Sequence, residues 1–258
     1  MLEVLKEVGY SCNCKQGRIS MILKNIAGLG FVAIFIATPA YATKTVTSPY
    51  VTKGKATIEW RGGYEMDGDD DESFRTRNQF SYGFTDFYDL KISADTRKDE
   101  GEDTEFTDID FENKFQLLPK GEYFIDLGLR LDYTRSLNGG ADEIGTKILM
   151  AKKTGELSHI LNLEAGREIG EDSSDDWAYG LSYGASYPLS DTLALGGEWY
   201  SDFGDFEEDY SDQDHRVGPV FYGTAFDKVK YQFGVLAGVS DAAPDATLKA
   251  TANYSFEF

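Results

Sequence analysis

The sequence predicts an all-β chain: a closed, antiparallel, twelve-stranded barrel built to cross a membrane. Three observations carry this prediction. From about residue 55 onward, apolar residues recur at every second position, the period of a strand with two unlike faces. Most segments run ten to thirteen residues, matching the roughly 9–11 that a tilted strand needs to cross the hydrocarbon core. The connections alternate between brief and long, and the long ones are acidic.

Composition narrows the alternatives. The 258 residues include 45 acidic and 25 basic side chains, for a net charge of −20. The 16 Tyr and 17 Phe exclude a disordered acidic tail, which would be poor in both. A mean hydropathy of −0.40, with one short apolar run, argues against a helical membrane protein. The acidity argues against nucleic acid as a partner, because phosphate needs a basic face.

The first forty-two residues read as targeting sequence. Met21 opens MILKNIAGLGFVAIFIATPAYA, with Lys24 as the charge, Ile26 to Ala37 as the apolar stretch and Ala40-Tyr41-Ala42 as the cleavage site. Residues 1–20, which hold the only cysteines (Cys12 and Cys14), read as an extension ahead of the true start. Cleavage after Ala42 leaves a mature, cysteine-free chain. Residues 43–54 then form a lead expected on the periplasmic side, and 55–258 the barrel.

Twelve segments begin near residues 55, 73, 88, 107, 123, 144, 157, 176, 192, 214, 228 and 246. The first sets Ile58, Trp60, Gly62, Tyr64 and Met66 against Thr57, Glu59, Arg61, Gly63 and Glu65. The fifth, Tyr123 to Thr134, sets Ile125, Leu127, Leu129, Leu131 and Tyr133 against Asp126, Gly128, Arg130 and Asp132. The eighth presents Trp177, Tyr179, Leu181, Tyr183 and Tyr187 opposite small residues, and the eleventh Val229, Tyr231, Phe233 and Val235 opposite Lys230, Gln232 and Gly234. The twelfth ends with Tyr254, Phe256 and Phe258 on its apolar face. An apolar, aromatic-edged face outside and a polar face inside suit a barrel with lipid around it and a wet interior.

After even-numbered segments the connections are brief, such as Thr85-Asp86-Phe87 and Thr154-Gly155-Glu156; after odd-numbered ones they are long and acidic, such as GDDDE and DFGDFEEDYSDQ. Outer-membrane barrels show this alternation, with short periplasmic turns and long outer loops. Windows 67–72, 99–105, 138–143, 168–176, 202–214 and 241–245 hold 26 of the 43 carboxylates that follow residue 42, and no Lys or Arg. Such loops either stay solvated and repel one another, or collect divalent cations. Asp67-Gly-Asp-Asp-Asp-Glu72 starts like a calcium loop, but Glu72 stands where that motif needs Gly. No resident cofactor is expected; loosely held calcium or magnesium at Asp69, Asp70, Asp71, Glu207, Glu208 and Asp209 is the cation reading.

Parity turns Arg61, Arg75, Arg77, Lys91, Arg130, Lys147, Arg216, Lys230 and Lys249 inward, with Glu59, Asp126, Glu164 and Glu198 among the carboxylates on the same face. Cross-strand ion pairs filling the lumen are one reading of this mixture. The other is an aqueous pore tolerant of polar solutes, because twelve strands enclose more room than eight, whose interior side chains alone can fill. For catalysis the histidines matter most. His159 points to the lipid side by parity, whereas His215 opens segment ten at the outer rim beside Asp212 and Asp214, the setting for a rim hydrolase. An enzyme is not expected.

Several stretches carry a resemblance: Gln79-Phe-Ser-Tyr-Gly-Phe-Thr-Asp86 running into Tyr88-Asp-Leu-Lys-Ile92, Phe111 to Leu118, Val217-Gly-Pro-Val-Phe-Tyr-Gly223, and Gly234 to Asp245. Across nearly the whole chain after the targeting segment, these resemble the outer-membrane barrels of the MetA-pathway phenol-degradation family. That resemblance implies an outer-membrane location and passage of small molecules, and transfers no binding residues. Ile58-Glu-Trp-Arg61, followed by Arg75 and Arg77, is similar to the opening hairpin of oligogalacturonate-specific porins. Their strongly cationic lumens serve acidic sugars, and the balanced inner face here departs from that pattern. The expected protein is a monomeric porin-like channel whose partners are outer-membrane lipid, lipopolysaccharide and a small solute. A closed structural or adhesive barrel with cation-binding loops is the alternative.

Overall fold

The computed structural model describes residues 44–67, 71–170, 173–174, 176–205, 209–226 and 228–258, apart from the side chain of Asp71. The extension and targeting segment expected at 1–20 and 21–42 lie outside the described residues.

The alternating segments become β1 Lys55–Asp67, β2 Asp71–Gly83, β3 Tyr88–Asp99, β4 Glu105–Gln116, β5 Asp126–Ser136, β6 Asp142–Thr154, β7 Leu157–Ile169, β8 Ala178–Pro188, β9 Leu193–Gly204, β10 Asp214–Ala225, β11 Val229–Gly238 and β12 Ala246–Glu257. Each pairs antiparallel with its sequence neighbours, and β1 closes on β12 to complete a twelve-stranded barrel. Lys55 opposite Glu257, a hydrogen bond between Thr57 and Ser255 hydroxyls, and Phe258 N–H donating to the Gly54 carbonyl mark the seam. Closure removes the free sheet edges that hydrocarbon would leave unsatisfied.

The predicted faces hold. Ile58, Phe80, Leu131, Ile148, Trp199, Phe221 and Phe233 are exposed on the outside, whereas Arg61, Glu112, Arg130, Glu198 and Lys249 are buried inside. An apolar exterior around a polar interior is the pattern of a barrel whose solvent is lipid.

Two boundaries differ from expectation. β5 begins at Asp126 rather than Tyr123, so residues 117–125 form the longest connection at the turn end, with Tyr123 and Phe124 exposed in it. At the opposite, loop end, β1 and β2 stay paired out to Asp67 and Asp71. The longer excursions there are 170–177, 205–213 and 239–245.

The larger correction concerns the lead. Residues 44–54 were expected outside the barrel, yet they run through its lumen. Gly54 N–H donates to the Gly83 carbonyl at the turn end. Val51 N–H then donates to Gln116 Oε1 (2.9 Å), and the Tyr50 hydroxyl to Asp126 Oδ2 (2.7 Å). Farther in, Asn162 holds both backbone polar groups of Thr47, accepting its N–H and donating to its carbonyl, each at 2.8 Å. Val46 packs on the buried cluster Tyr200, Val220 and Leu236. A strand-less backbone inside a protein must find partners for its amides and carbonyls, and here wall side chains supply them. Small wall residues make the room: a Cβ on Gly128 would stand 2.9 Å from Pro49 Cβ, and one on Gly184 3.3 Å from Val46 Cγ2. We call this segment the strap.

Candidate functional site

The alternation that builds the wall also delivers a dense set of charges into the lumen. Register decides how they pair. Arg61 stands opposite Arg77, and Arg130 opposite both Lys114 and Lys147. Like charges directly across a ladder repel, so carboxylates must come between them. Some do so from the same strand, two residues away: Glu59 accepts from Arg61 Nε (2.6 Å), Asp132 from Arg130 (2.8 Å), and Asp214 from Arg216. Cross-strand pairing alone, the expectation from sequence, misses these.

Glu112 is the hub of one flank. Only 2% exposed, it lies 3.0 Å from Arg130 Nη1, 3.0 Å from Lys91 Nζ and 3.4 Å from Arg77 Nη1. Arg77 also pairs with Asp95 and Asp110. Lys147 and Glu164 meet at 2.5 Å, and Ser182 donates to the same carboxylate.

Glu198 is the hub of the other flank. It accepts from Lys249, the Tyr200 hydroxyl, the Tyr222 hydroxyl (2.7 Å) and Gln232 (2.9 Å). Lys249, fully buried, also donates to the Tyr200 hydroxyl (2.8 Å) and to the Lys44 carbonyl of the strap (3.2 Å). Lys249 and the Tyr200–Val220–Leu236 cluster thus face the end of the strap. At the loop end, Arg216 reaches across to Glu65 and donates to Thr247.

Between the strap and the loop end a cavity of about 430 Å³ remains. Of the residues expected to line a pore, Arg61, Arg75, Arg77, Arg130, Lys147 and Glu164 border it. Lys249 and Glu198 belong to the packed flank, Arg216 to the loop-end bridge and Lys91 to the Glu112 hub. Glu59 binds Arg61 and Gln79. Asp126 is engaged by the strap and by Gly121 N–H (2.6 Å), and Lys230 stands exposed near the turn end. The strap hydroxyl bound to Asp126 is perturbed: burial, reinforced by that carboxylate, pushes the Tyr50 phenol up to about 12. Sequence reasoning missed Tyr50, Thr47, Asn162 and Gln116 as lumen residues because their pairing spans 65 to 115 residues.

The rim histidine does not form the couple with aspartate that a rim hydrolase would use. His215 Nδ1 is 2.8 Å from the Ser201 hydroxyl, its Nε2 is 3.1 Å from Gln213 Oε1, and Tyr210 stacks on the ring at 4.5 Å. It is 3% exposed, and Asp214 turns to Arg216 instead. A base that activates water needs access to it, and this imidazole is sealed into the loop packing. His159 faces outward, 2.8 Å from the Tyr183 hydroxyl. Of the carboxylates read as cation ligands, Asp69, Asp70, Glu207 and Glu208 lie outside the described residues, as does the Asp71 side chain; only Asp209 is described. Among the described residues no cluster of His, Cys, Asp or Glu has the arrangement of a metal site.

No protein-family model matches the chain, and no curated protein is significantly similar in sequence. Solved structures do match in fold. The chain is similar to the NanC porin (14% identity, 78% of this chain and 100% of that one, TM-score 0.54). It is also similar to an outer-membrane channel from Pseudomonas putida F1 (12%, 86% and 100%, 0.57) and to the KdgM porin (12%, 78% and 99%, 0.54). All three are porins or channels, and the fold they share with this chain is the outer-membrane barrel.

Proposed function

We propose that the protein is an outer-membrane porin-like channel for passive passage of small polar solutes, with the strap as its constriction. One observation carries the reading: a charged cavity fills the loop-side lumen, and the strap beneath it is held by side-chain hydrogen bonds rather than by strand pairing. Such a segment can leave without unzipping the barrel. The apolar outer belt supports residence in the outer membrane, among lipid and lipopolysaccharide, and the charged walls support a hydrophilic solute. The residues from Gln79 to Ile92 and from Gly234 to Asp245 support a finer reading, a likeness to the MetA-pathway phenol-degradation barrels. A monomer suffices, because closure leaves no edge to pair.

The test is single-channel conductance of refolded Thr43–Phe258 in a planar bilayer, beside a variant lacking residues 43–52. Discrete steps that grow or become more frequent without the strap are expected. A folded barrel that conducts in neither form would overturn the channel. The strap favours a second reading in that event: a permanently closed structural barrel whose acidic loops bridge cations at the surface.

A further inference from the structure

Charge in the lumen cavity is not balanced, and the excess is localised. Eight of its lining residues are acidic and six basic, and one of the basic six, Lys44, belongs to the strap rather than the wall. Arg61, Arg77, Arg130 and Lys147 are each held by a wall carboxylate. On the acidic side, Asp108 of β4 and Glu143 of β6 have no ion-pair or hydrogen-bond partner among the described residues. Glu143 stands opposite Thr134 of β5, and Asp108 stands on the other side of β5 opposite Ser136, two residues farther along. Asp132 lines the same space, and its Oδ1 is buried without a hydrogen-bond partner.

A second, independent observation shows what this space accepts. The Lys44 ammonium, which the wall does not supply, is seated on Asp202 Oδ2 at 2.5 Å. Both side chains are close to half exposed, so the pair is weak and exchangeable. The cavity already holds one alkylammonium, delivered by the strap, and keeps further carboxylates open beside it.

We infer that this cavity is a receptor site for a small organic cation with primary ammonium groups, and that Lys44 is its tethered occupant. The inference rests on the channel reading above and names the solute class for the same lumen. One ammonium of the solute takes Asp202 from Lys44, and a second meets Asp108 and Glu143. The volume, about 430 Å³, falls in the range of roughly 300–1,000 Å³ typical of small-molecule sites. An anionic solute of equal size finds the guanidinium groups already engaged and the open carboxylates opposed to it, a mismatch of the kind that sets specificity. Because Lys44 belongs to the strap, solute binding and strap docking compete, and the coupling is reciprocal.

The experiment is calorimetric titration of the refolded mature protein at low salt with 1,4-diaminobutane, against glutarate as a dicarboxylate of similar length. Diamine binding well above glutarate binding is expected. Lys44→Gln removes the tethered competitor and should tighten the diamine about threefold to fivefold, while Asp108→Asn with Glu143→Gln should weaken it about fivefold. Glutarate binding as well as the diamine would overturn the site, as would a diamine affinity indifferent to Lys44→Gln, the signature of binding to the outer loops alone. Lys44 is half exposed, so that variant does not threaten folding. Liposome swelling with a neutral pentose separates the two readings. A barrel that admits the sugar but does not prefer the diamine refutes this inference alone. One that excludes the sugar even without the strap refutes the channel, and the titration still decides the site.

Discussion

Lys249 and Arg77 are both cations that alternation turns into the same lumen, yet their surroundings are opposite. Lys249 is wholly buried between Glu198, the Tyr200 hydroxyl and a strap carbonyl, and beside it Val46 closes on Tyr200, Val220 and Leu236. Arg77 keeps 21% of its side chain exposed, shares three carboxylates and borders the cavity. The strap makes the difference, because its first described residues, Lys44 to Val46, lie against the β9–β12 wall. Parity assigns a side chain to the interior; only the strap decides whether that interior is packed or wet.

The sharpest way to break this comparison is to remove one cation from each flank. Lys249→Met leaves Glu198 buried with its charge uncompensated, and should destabilise the barrel by about 3–5 kcal/mol. Lys147→Met leaves Glu164 beside a cavity that solvent can fill; its side chain is 18% exposed, and the expected loss is about 1 kcal/mol. Urea unfolding in lipid vesicles, followed by tryptophan fluorescence, measures both. Equal losses would mean that the two flanks are equally dry.

A smaller effect should come from glycines, which test the strap without altering it. On Gly128 a Cβ would stand 2.9 Å from Pro49 Cβ and 3.1 Å from its Cα, whereas on Gly145, facing the cavity, the nearest atom is 3.6 Å away. Gly128→Val should dislodge the strap at a cost of about 1–3 kcal/mol in packing and raise conductance toward that of the strap-deleted form. Gly145→Val should leave the strap in place and at most narrow the cavity. Bilayer recording of the pair checks both outcomes.

How much of this was legible in the sequence follows from range. Strand existence, faces and antiparallel order depend on period-two alternation and on turns a few residues long, so Ile58 to Met66 or Tyr254 to Phe258 announce themselves locally. The strap does not. Thr43 to Gly54 shows no alternation, and nothing in Thr47 says that its partner is Asn162, 115 residues on. The start of β5 was misplaced because Tyr123 continues the alternation of Ile125 and Leu127 while standing in the turn. The inward charges were legible as a set, but not their division between flanks. The open carboxylates, Asp108 and Glu143, stand out only once the pairing of every neighbour is known. His215 illustrates the converse: nearby aspartates in the sequence suggested a couple, and the loop packing gave the imidazole to Ser201 and Gln213 instead.

The mildest test titrates the strap where it crosses from the turn end into the lumen. Tyr50 donates to Asp126, and its phenol is pushed up from 10.0 to about 12, chiefly by burial and then by that carboxylate. Below pH 10 the phenol is protonated whether the strap is docked or released, so it contributes no pH dependence. Between pH 10 and about 12 a released strap sheds a proton that the docked strap must keep, so docking weakens as pH rises. Open probability should therefore climb across that window. Lys120, whose Nζ lies 4.3 Å from the centre of the Tyr50 ring, is a second ionisable group at this crossing, so alkaline opening alone does not identify the phenol. Tyr50→Phe separates them. It lacks the hydrogen bond at every pH, opening somewhat more readily by about 1 kcal/mol, and keeps whatever Lys120 contributes. Subtracting the variant's pH profile from that of the native protein leaves the phenol, which should rise from pH 10 and be flat below it. A flat difference throughout would mean that Tyr50 does not hold the strap, and that its anchorage lies deeper, at Asn162.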